Sequence, residues 1–322
     1  MAAWAASASF THAAIAIDMV TVGNAGNGAD TTSYGAVSYG YQIGTYEITA
    51  GQYTAFLSAV AASDTYGLYN SNMWSSSYGS KIQQSGSPGS YTYSVASDYA
   101  NRPVNYVSWG DAARFANWMH NGQPTGAQDL TTTENGSYYL NGATTDAQLM
   151  AVTRTGDATY VIPTENEWYK AAYHDKSAGT AATYFDYPTG TNTAPSNVLG
   201  NPTDPGNNAT FWDGGYTIGS PYYRTEKGAH ENSDSPYGTL DQGGNVWEWN
   251  ETAVDSSSRG LRGGSFYSDS SHYLAASYRG NGSPTVENDY IGFRVANVPE
   301  PGSIALLVSG GIVGLIWWWR RK

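Results

Sequence analysis

The densest group of residues able to do chemistry is Gly238-Thr239-Leu240-Asp241-Gln242-Gly243-Gly244-Asn245-Val246-Trp247-Glu248-Trp249. Its glycines let the backbone turn tightly and expose carbonyl oxygens. Asp241 and Glu248 bracket the turn, and a hard cation such as calcium takes several oxygens of mixed carboxylate and carbonyl origin. Trp247 and Trp249 flank Glu248 on the opposite face of an extended segment, where they can bury it. The same residues also read as a hairpin whose two acids face water. The turn alone leaves both readings open.

Other groupings offer less. Ser265, Ser268, Asp269 and His272 lie close enough in sequence to suggest a hydrolase triad. No Gly-x-Ser-x-Gly elbow is present, and serine is too abundant here for proximity to mean much. The five histidines, His12, His120, His174, His230 and His272, are spread singly without metal-ligand spacing, so each reads as a surface or hydrogen-bonded residue. Gly263-Gly264 lacks the lysine and helix start of a phosphate loop. Arg262 and Arg294 flank strands, and either pairing with buried carboxylates or ligand contact suits them. Glu287, Asn288 and Asp289 read as a polar turn before Ile291-Gly292-Phe293-Arg294.

Composition narrows the classes. The 322 residues include 38 glycines, 27 tyrosines, 11 tryptophans and no cysteine, which removes disulfides, thiolate metal sites and cysteine nucleophiles. A formal net charge of −12 excludes a nucleic-acid partner, since nothing would neutralise a phosphate backbone. Low charge with 14% aromatic residues is not a disorder signature.

Three segments carry the signals of helices that would position these groups. Thr49 to Gln52 is a capping box followed by Tyr53, Phe56, Leu57 and Val60 on one face. Ser108 to Asp111 is a variant box with Ala112, Phe115, Ala116 and Met119 behind it. Thr164 to Glu167 is a third, leading to Trp168, Ala171 and Ala172. Residues 64–101, 121–160 and 186–240 are rich in Ser, Gly, Tyr, Thr and Asn with little periodicity. Their interleaved Tyr and Trp predict ordered loops in one domain, without a fixed-period repeat.

The ends suggest export. Residues 1–16 are small and apolar without Lys or Arg, and Ala14-Ile15-Ala16 has the small-x-small spacing of a signal-peptidase site. The missing basic region marks this as a truncated signal peptide or an apolar lead-in. At the other end, Pro299-Glu300-Pro301 precedes an uncharged run from Ile304 to Trp319 and then Arg320-Arg321-Lys322. A run of about 16 residues is short for a hydrocarbon core, but Trp317 to Trp319 suit an interfacial belt and the cations suit a stop-transfer signal. Residues 298–322 resemble the PEP-CTERM sorting signal of Gram-negative bacteria. That resemblance implies transient inner-membrane anchoring through a C-terminal hydrophobic helix and recognition by an exosortase. Cleavage would then deliver the protein to the cell surface or an exopolysaccharide matrix.

Five motifs in order, Tyr46-Glu47-Ile48-Thr49, Pro103 to Trp118, Ile162 to Trp168, Arg262-Gly263-Gly264-Ser265-Phe266 and Ile291 to Ala296, resemble the sulfatase-modifying-factor family, the formylglycine-generating-enzyme-like domain. The resemblance covers residues 17–297 and implies an α+β, C-type-lectin-like fold that is loop-rich, with few helices and short strands. It also implies structural calcium. One site would use the Asp241 and Glu248 side chains with the Gly244 and Val246 carbonyls. A second would use Asn197, the Val198 carbonyl and Asp213.

The family's best-known chemistry needs two cysteines that hold copper after Gly-Gly-Ser. Ser268 and Tyr273 stand at those places, and neither can replace a thiolate for cuprous copper. Formylglycine-generating oxidase activity is thereby excluded. The related iron-dependent sulfoxide synthases use histidines drawn largely from an additional helical domain. Two functions remain. One is an exported surface or matrix protein, a calcium-stabilised binding or structural module that recognises exopolysaccharide or a surface protein through Tyr and Trp. The other is a secreted iron- or copper-dependent oxidoreductase with non-cysteine ligands.

Overall fold

Each helix expected from a capping box begins where its box lies. The computed structural model describes residues 14–200 and 204–299. Most of the expected signal peptide, Glu300, Pro301 and the hydrophobic C-terminal run lie outside the described residues. Helix α1 (Ala50–Val60) is capped by Thr49 and Gln52, α3 (Trp109–His120) by Ser108 and Asp111, and α5 (Glu165–Tyr173) by Thr164 and Glu167. In each, the N-cap hydroxyl accepts from the N3 amide and the N3 side chain accepts from the N-cap amide, satisfying two otherwise orphaned donors. No helix of the described residues is long and apolar enough to cross a membrane.

Two stretches expected to be loops contain short elements. Helix α2 (Asn72–Ser75) and the hairpin β3 (Ile82–Ser85) with β4 (Thr92–Val95) lie within 64–101. Helix α4 (Asp146–Ala151) lies within 121–160 and carries its own box, Thr145 with Gln148. It buries only Leu149 among its residues, so no apolar period exists to be read. The described part of 186–240 has isolated bridges in place of helices or multi-residue strands.

Two four-stranded sheets frame the helices. The first runs β1 (Met19–Val22), β2 (Tyr41–Gly44), β10 (Ala296–Asn297), β5 (Tyr160–Val161), so the start and end of the domain pair in one sheet. The second runs β8 (Gly280–Gly282), β7 (Arg259–Arg262), β6 (Trp247–Ala253), β9 (Ile291–Gly292), with β6 and β9 parallel and the other pairs antiparallel. The result is a mixed α+β architecture with few helices and short strands.

The core is built around α1 and α3, with Phe293, which lies between β9 and β10, packed against them. Phe56 and Phe115 pack with ring centroids 5.3 Å apart, and Phe115 and Phe293 at 5.4 Å. Edge-to-face contacts of this kind add to the burial itself. The long loops are held by buried polar side chains in place of strand ladders. Asn117 on α3, for example, donates to the carbonyls of Thr133 and Tyr138 and accepts from the Tyr138 amide. Arg114 pairs with Glu134 at 2.7 Å, and Arg154 pairs with Glu167 at 3.0 Å and Glu251 at 2.8 Å, with all five groups largely shielded from water. Such groups satisfy loop backbone that would otherwise be orphaned on burial.

Candidate functional site: a buried acidic turn beside an aromatic cleft

The turn from Asp241 to Glu248 is built on left-handed backbone. Asp241, Gly244 and Asn245 have φ of 61°, 86° and 58°. Gly244 is required here: a Cβ would lie 2.7 Å from the Thr210 carbonyl carbon and closer still to its oxygen. That close approach lets Thr210 bridge to Gly244 and lets the Asn245 amide donate to the Thr210 oxygen at 2.7 Å. The Gly244 amide donates to the Gly263 oxygen, and the Phe266 amide to the Asn245 oxygen. The turn is thus stitched to two loops, 208–216 and 263–268.

Both acids of the turn are buried, so they do not form a hairpin facing water. Asp241 is 8% exposed and accepts the Gly228 amide at 2.8 Å. Burial first, with the charge of Glu248, pushes its pKa up to about 6 against the opposing Gly228 bond and Arg294. Glu248 is fully buried, and its oxygens are engaged. Arg294 reaches them through Nε and Nη2 at 2.6 Å each, and the Trp168 indole N–H donates at 2.7 Å. The same guanidinium donates to the carbonyls of Gly44, Thr45 and Leu240. Arg294 therefore pairs with a buried carboxylate, as Arg262 does with Glu165 at 2.7 Å.

This arrangement fits a cation at the four positions Asp241, Gly244, Val246 and Glu248 only in part. One turn brings them together, and Asp241 is offered, but the Glu248 oxygens already serve Arg294 and Trp168. A third buried acid stands nearby. Glu47, in the segment between β2 and α1, is 3% exposed, and neither of its carboxylate oxygens meets a hydrogen-bond partner from another residue. Burial, then the charges of Asp241 and Glu248, hold its pKa well above the usual carboxylate range.

At the second position, Asn197 and the loop around Asp213 do meet. The Asn197 amide donates to the carbonyls of Phe211 at 3.3 Å and Gly215 at 2.8 Å. These bonds tie Asn197 to the loop that carries Asp213, with both carbonyls taken up by the N–H groups of its amide. Val198 and Asp213 are exposed. Among the described residues, no three His, Asp or Glu side chains are grouped to hold a metal by themselves.

A cleft of about 460 Å³ opens beside the turn, lined by Trp212, Tyr216, Tyr267, Ser268, Asp269 and Tyr273. Ser268 and Tyr273 are thus brought together in its wall. Trp212 is placed by its amide, which donates to the Ser268 oxygen at 3.0 Å, and by its bridge to Tyr216. Trp212 is 36% and Tyr267 57% exposed, unusually open for large rings. Behind them lies an aromatic cluster: Tyr78 to Tyr223 at 4.6 Å, Tyr216 edge-on to Tyr223 at 5.0 Å and Tyr78 stacked on Phe266 at 5.8 Å. Burial and the neighbouring Tyr78 push Tyr216 up to about 12, so its phenol keeps its proton at neutral pH.

The remaining sequence groupings disperse. The Ser268 hydroxyl accepts the Ser265 amide, and the exposed His272 packs edge-on to Tyr278 at 5.1 Å, so no Ser–His pair is assembled. His174 bonds Tyr237 and the Ala181 oxygen, His230 bonds Thr210, and His120 bonds Thr159. The expected polar turn at Glu287 is half-buried, and Glu287 accepts the Asn70 amide at 2.5 Å. Sequence reasoning missed Glu47 as part of the acidic cluster, because its neighbours come from about 200 residues away. It also missed Trp212, Tyr216 and Tyr267 as the cleft lining; adjacency to Ser268 was the one available signal for Tyr267.

The mixed α+β architecture, with its acidic turn joined to a loop-built cleft, defines a class of loop-dominated domains. Residues 17–299 match the sulfatase-modifying factor enzyme 1-like domain, and the chain belongs to that family. Among solved structures it is similar to Treponema denticola variable protein 1, at 21% identity and a TM-score of 0.50, over 90% of this chain and 98% of that one. That likeness establishes a shared fold. CarF (18% identity, TM-score 0.49, 88% of this chain and 99% of that one) and PvdO from Pseudomonas aeruginosa (18%, 0.44, 88% and 92%) are also similar. No curated protein sequence matches the chain.

Proposed function

We propose that this protein is a non-catalytic member of its family, an exported, calcium-stabilised binding module on a C-type-lectin-like scaffold. The observation that carries this reading is the composition of the cleft. Where the family's oxidases place two cysteines, this chain has Ser268 and Tyr273, within a wall of Trp212, Tyr216, Tyr267 and Asp269. Open aromatic faces stack on the apolar faces of sugar rings, while phenols, a serine hydroxyl and a carboxylate supply hydrogen bonds to hydroxyl groups. With a net charge of −12 and an acid in the cleft, the ligand class is a neutral, polyhydroxylated chain such as an exopolysaccharide.

Export rests on the sequence of the two ends. The PEP-CTERM-like tail would present the chain to an exosortase and release it to the surface or matrix of a Gram-negative cell. Calcium would bind Asn197, Val198 and Asp213 at one site and the acidic turn at the other. A glycan array probed with the folded, calcium-loaded domain tests the reading, alongside metal analysis of protein purified without chelator. Binding to neutral glycans with calcium as the bound metal supports it. No binding above background refutes ligand recognition, and stoichiometric iron or copper would favour the oxidoreductase.

A further inference from the structure

The second sheet carries a groove that the cleft does not include. It holds about 290 Å³ between the sheet and the segment 283–290, near the lower end of small-ligand sites at roughly 300 Å³. Trp247 and Tyr290 give it aromatic walls, and Asn281, Ser283 and Asn288 bring amides and a hydroxyl. The Asn288 amide donates to the Tyr290 phenol at 3.0 Å, which fixes that ring, while Asn281 stands exposed on the edge strand β8. At Gly280 a Cβ would lie 3.1 Å from the Trp247 ring, so glycine there keeps a side chain off that ring. Among the described residues, no charged side chain lines the groove.

Aromatic rings join this groove to the cleft. Tyr273, in the cleft wall, meets Trp247, in the groove wall, edge-to-face with centroids 6.4 Å apart. Tyr278 packs on both, 4.7 Å from Tyr273 and 5.8 Å from Trp247. All three rings are partly exposed, so an aromatic ridge leads across the surface from one hollow to the other. A chain lying over it would keep ring faces against aromatic surface throughout. The uncharged groove offers nothing to pair with an ionic substituent, and burying an unpaired charge there would be costly. A neutral ligand suits it.

We infer that the groove is a second subsite for the same neutral polysaccharide, reached across Tyr273, Tyr278 and Trp247, so that the protein recognises an extended stretch of chain and not a single sugar. The inference rests on the glycan reading of the cleft and adds to it the length of ligand recognised. A chain already held in the cleft presents its next sugars to the groove at high effective concentration, so affinity climbs with chain length until both subsites are filled.

The test titrates the calcium-loaded protein with fragments of a neutral exopolysaccharide, graded from disaccharide to octasaccharide, and compares it with Asn281→Ala and Tyr290→Ala. For the parent, affinity is expected to rise tenfold or more between the shortest and the longest fragment. Both variants should lose that rise while melting at the parent's temperature. A parent that binds every length equally, or variants that keep the full rise, overturns the second subsite and leaves the cleft reading standing. A parent that binds no fragment overturns both. Should Tyr290→Ala fail to fold, Asn281→Ala and crystals of the parent soaked in octasaccharide decide. Sugar density running from Trp212 past Tyr273 to Tyr290 supports the inference, and density confined to the cleft overturns it.

Discussion

Replacing Glu248 by Gln should cost stability whether or not calcium is present. The substitution keeps an acceptor for Trp168 but strands the Arg294 guanidinium, which is fully buried and holds the Gly44, Thr45 and Leu240 carbonyls in place through its other bonds. Two bonds of 2.6 Å between opposite charges become at best one bond from the guanidinium to a neutral amide oxygen. Removing one partner of a buried pair costs about 3–5 kcal/mol. For a domain of this size each kcal/mol shifts the melting temperature by about 2–4 °C, so a fall of about 6–20 °C follows. Calorimetric melting of the parent, Glu248→Gln, Arg294→Met and the double variant completes a cycle. The double variant should lose less than the sum of the singles, because no charge is left unpaired. A Glu248→Gln domain that melts within 2 °C of the parent in chelator, or whose whole deficit vanishes there, would refute the assignment of Glu248 to Arg294.

Gly244→Ala should destabilise by about 3 kcal/mol, from a left-handed φ of 86° and overlap with Thr210, and should also weaken cleft binding because Thr210 leads into Trp212. Chemical denaturation and ligand titration read both effects, and unchanged values in both would contradict the stitching described above. Glu287 is pushed up to about 8 by burial and by the charge of Asp111, from an ordinary 4.5. Because the folded state holds the proton more tightly, its contribution is full below about pH 4.5 and is lost as pH rises through about 8. Glu287→Gln should flatten the fall of melting temperature between pH 5 and 9 in chelator; an unaltered slope would count against the buried position of that carboxyl. Tyr267→Ala and Trp212→Ala should each lower glycan affinity by roughly three- to tenfold while leaving the melting temperature unchanged, since both rings are open to solvent.

What the sequence made legible was local. The three boxes at Thr49, Ser108 and Thr164 specify helix starts with residues three apart, and the structure places helices behind each of them. The fourth box, at Thr145, went unread because a helix with a single buried residue carries no period. The turn from Asp241 to Glu248 is contiguous, so its chemistry could be seen, but the fate of Glu248 could not. That depends on Arg294, about 46 residues away, and on Trp168, about 80 residues away. Glu47 joins the cluster across a still longer separation, and nothing in its immediate neighbours marks it as buried and unpartnered. The cleft shows the same division: Ser268 and Tyr273 follow from their spacing after Gly263-Gly264-Ser265, whereas Trp212 and Tyr216 arrive through the Thr210 bridge.

The claim that the cleft binds a neutral polysaccharide is tested most directly by isothermal titration of size-fractionated, neutral exopolysaccharide into the calcium-loaded domain, run in parallel with a Trp212→Ala, Tyr267→Ala double variant. Saturable binding by the parent, lost in a double variant of unchanged melting temperature, is the predicted result. Absence of heat with the parent, or equal binding by both proteins, would contradict it.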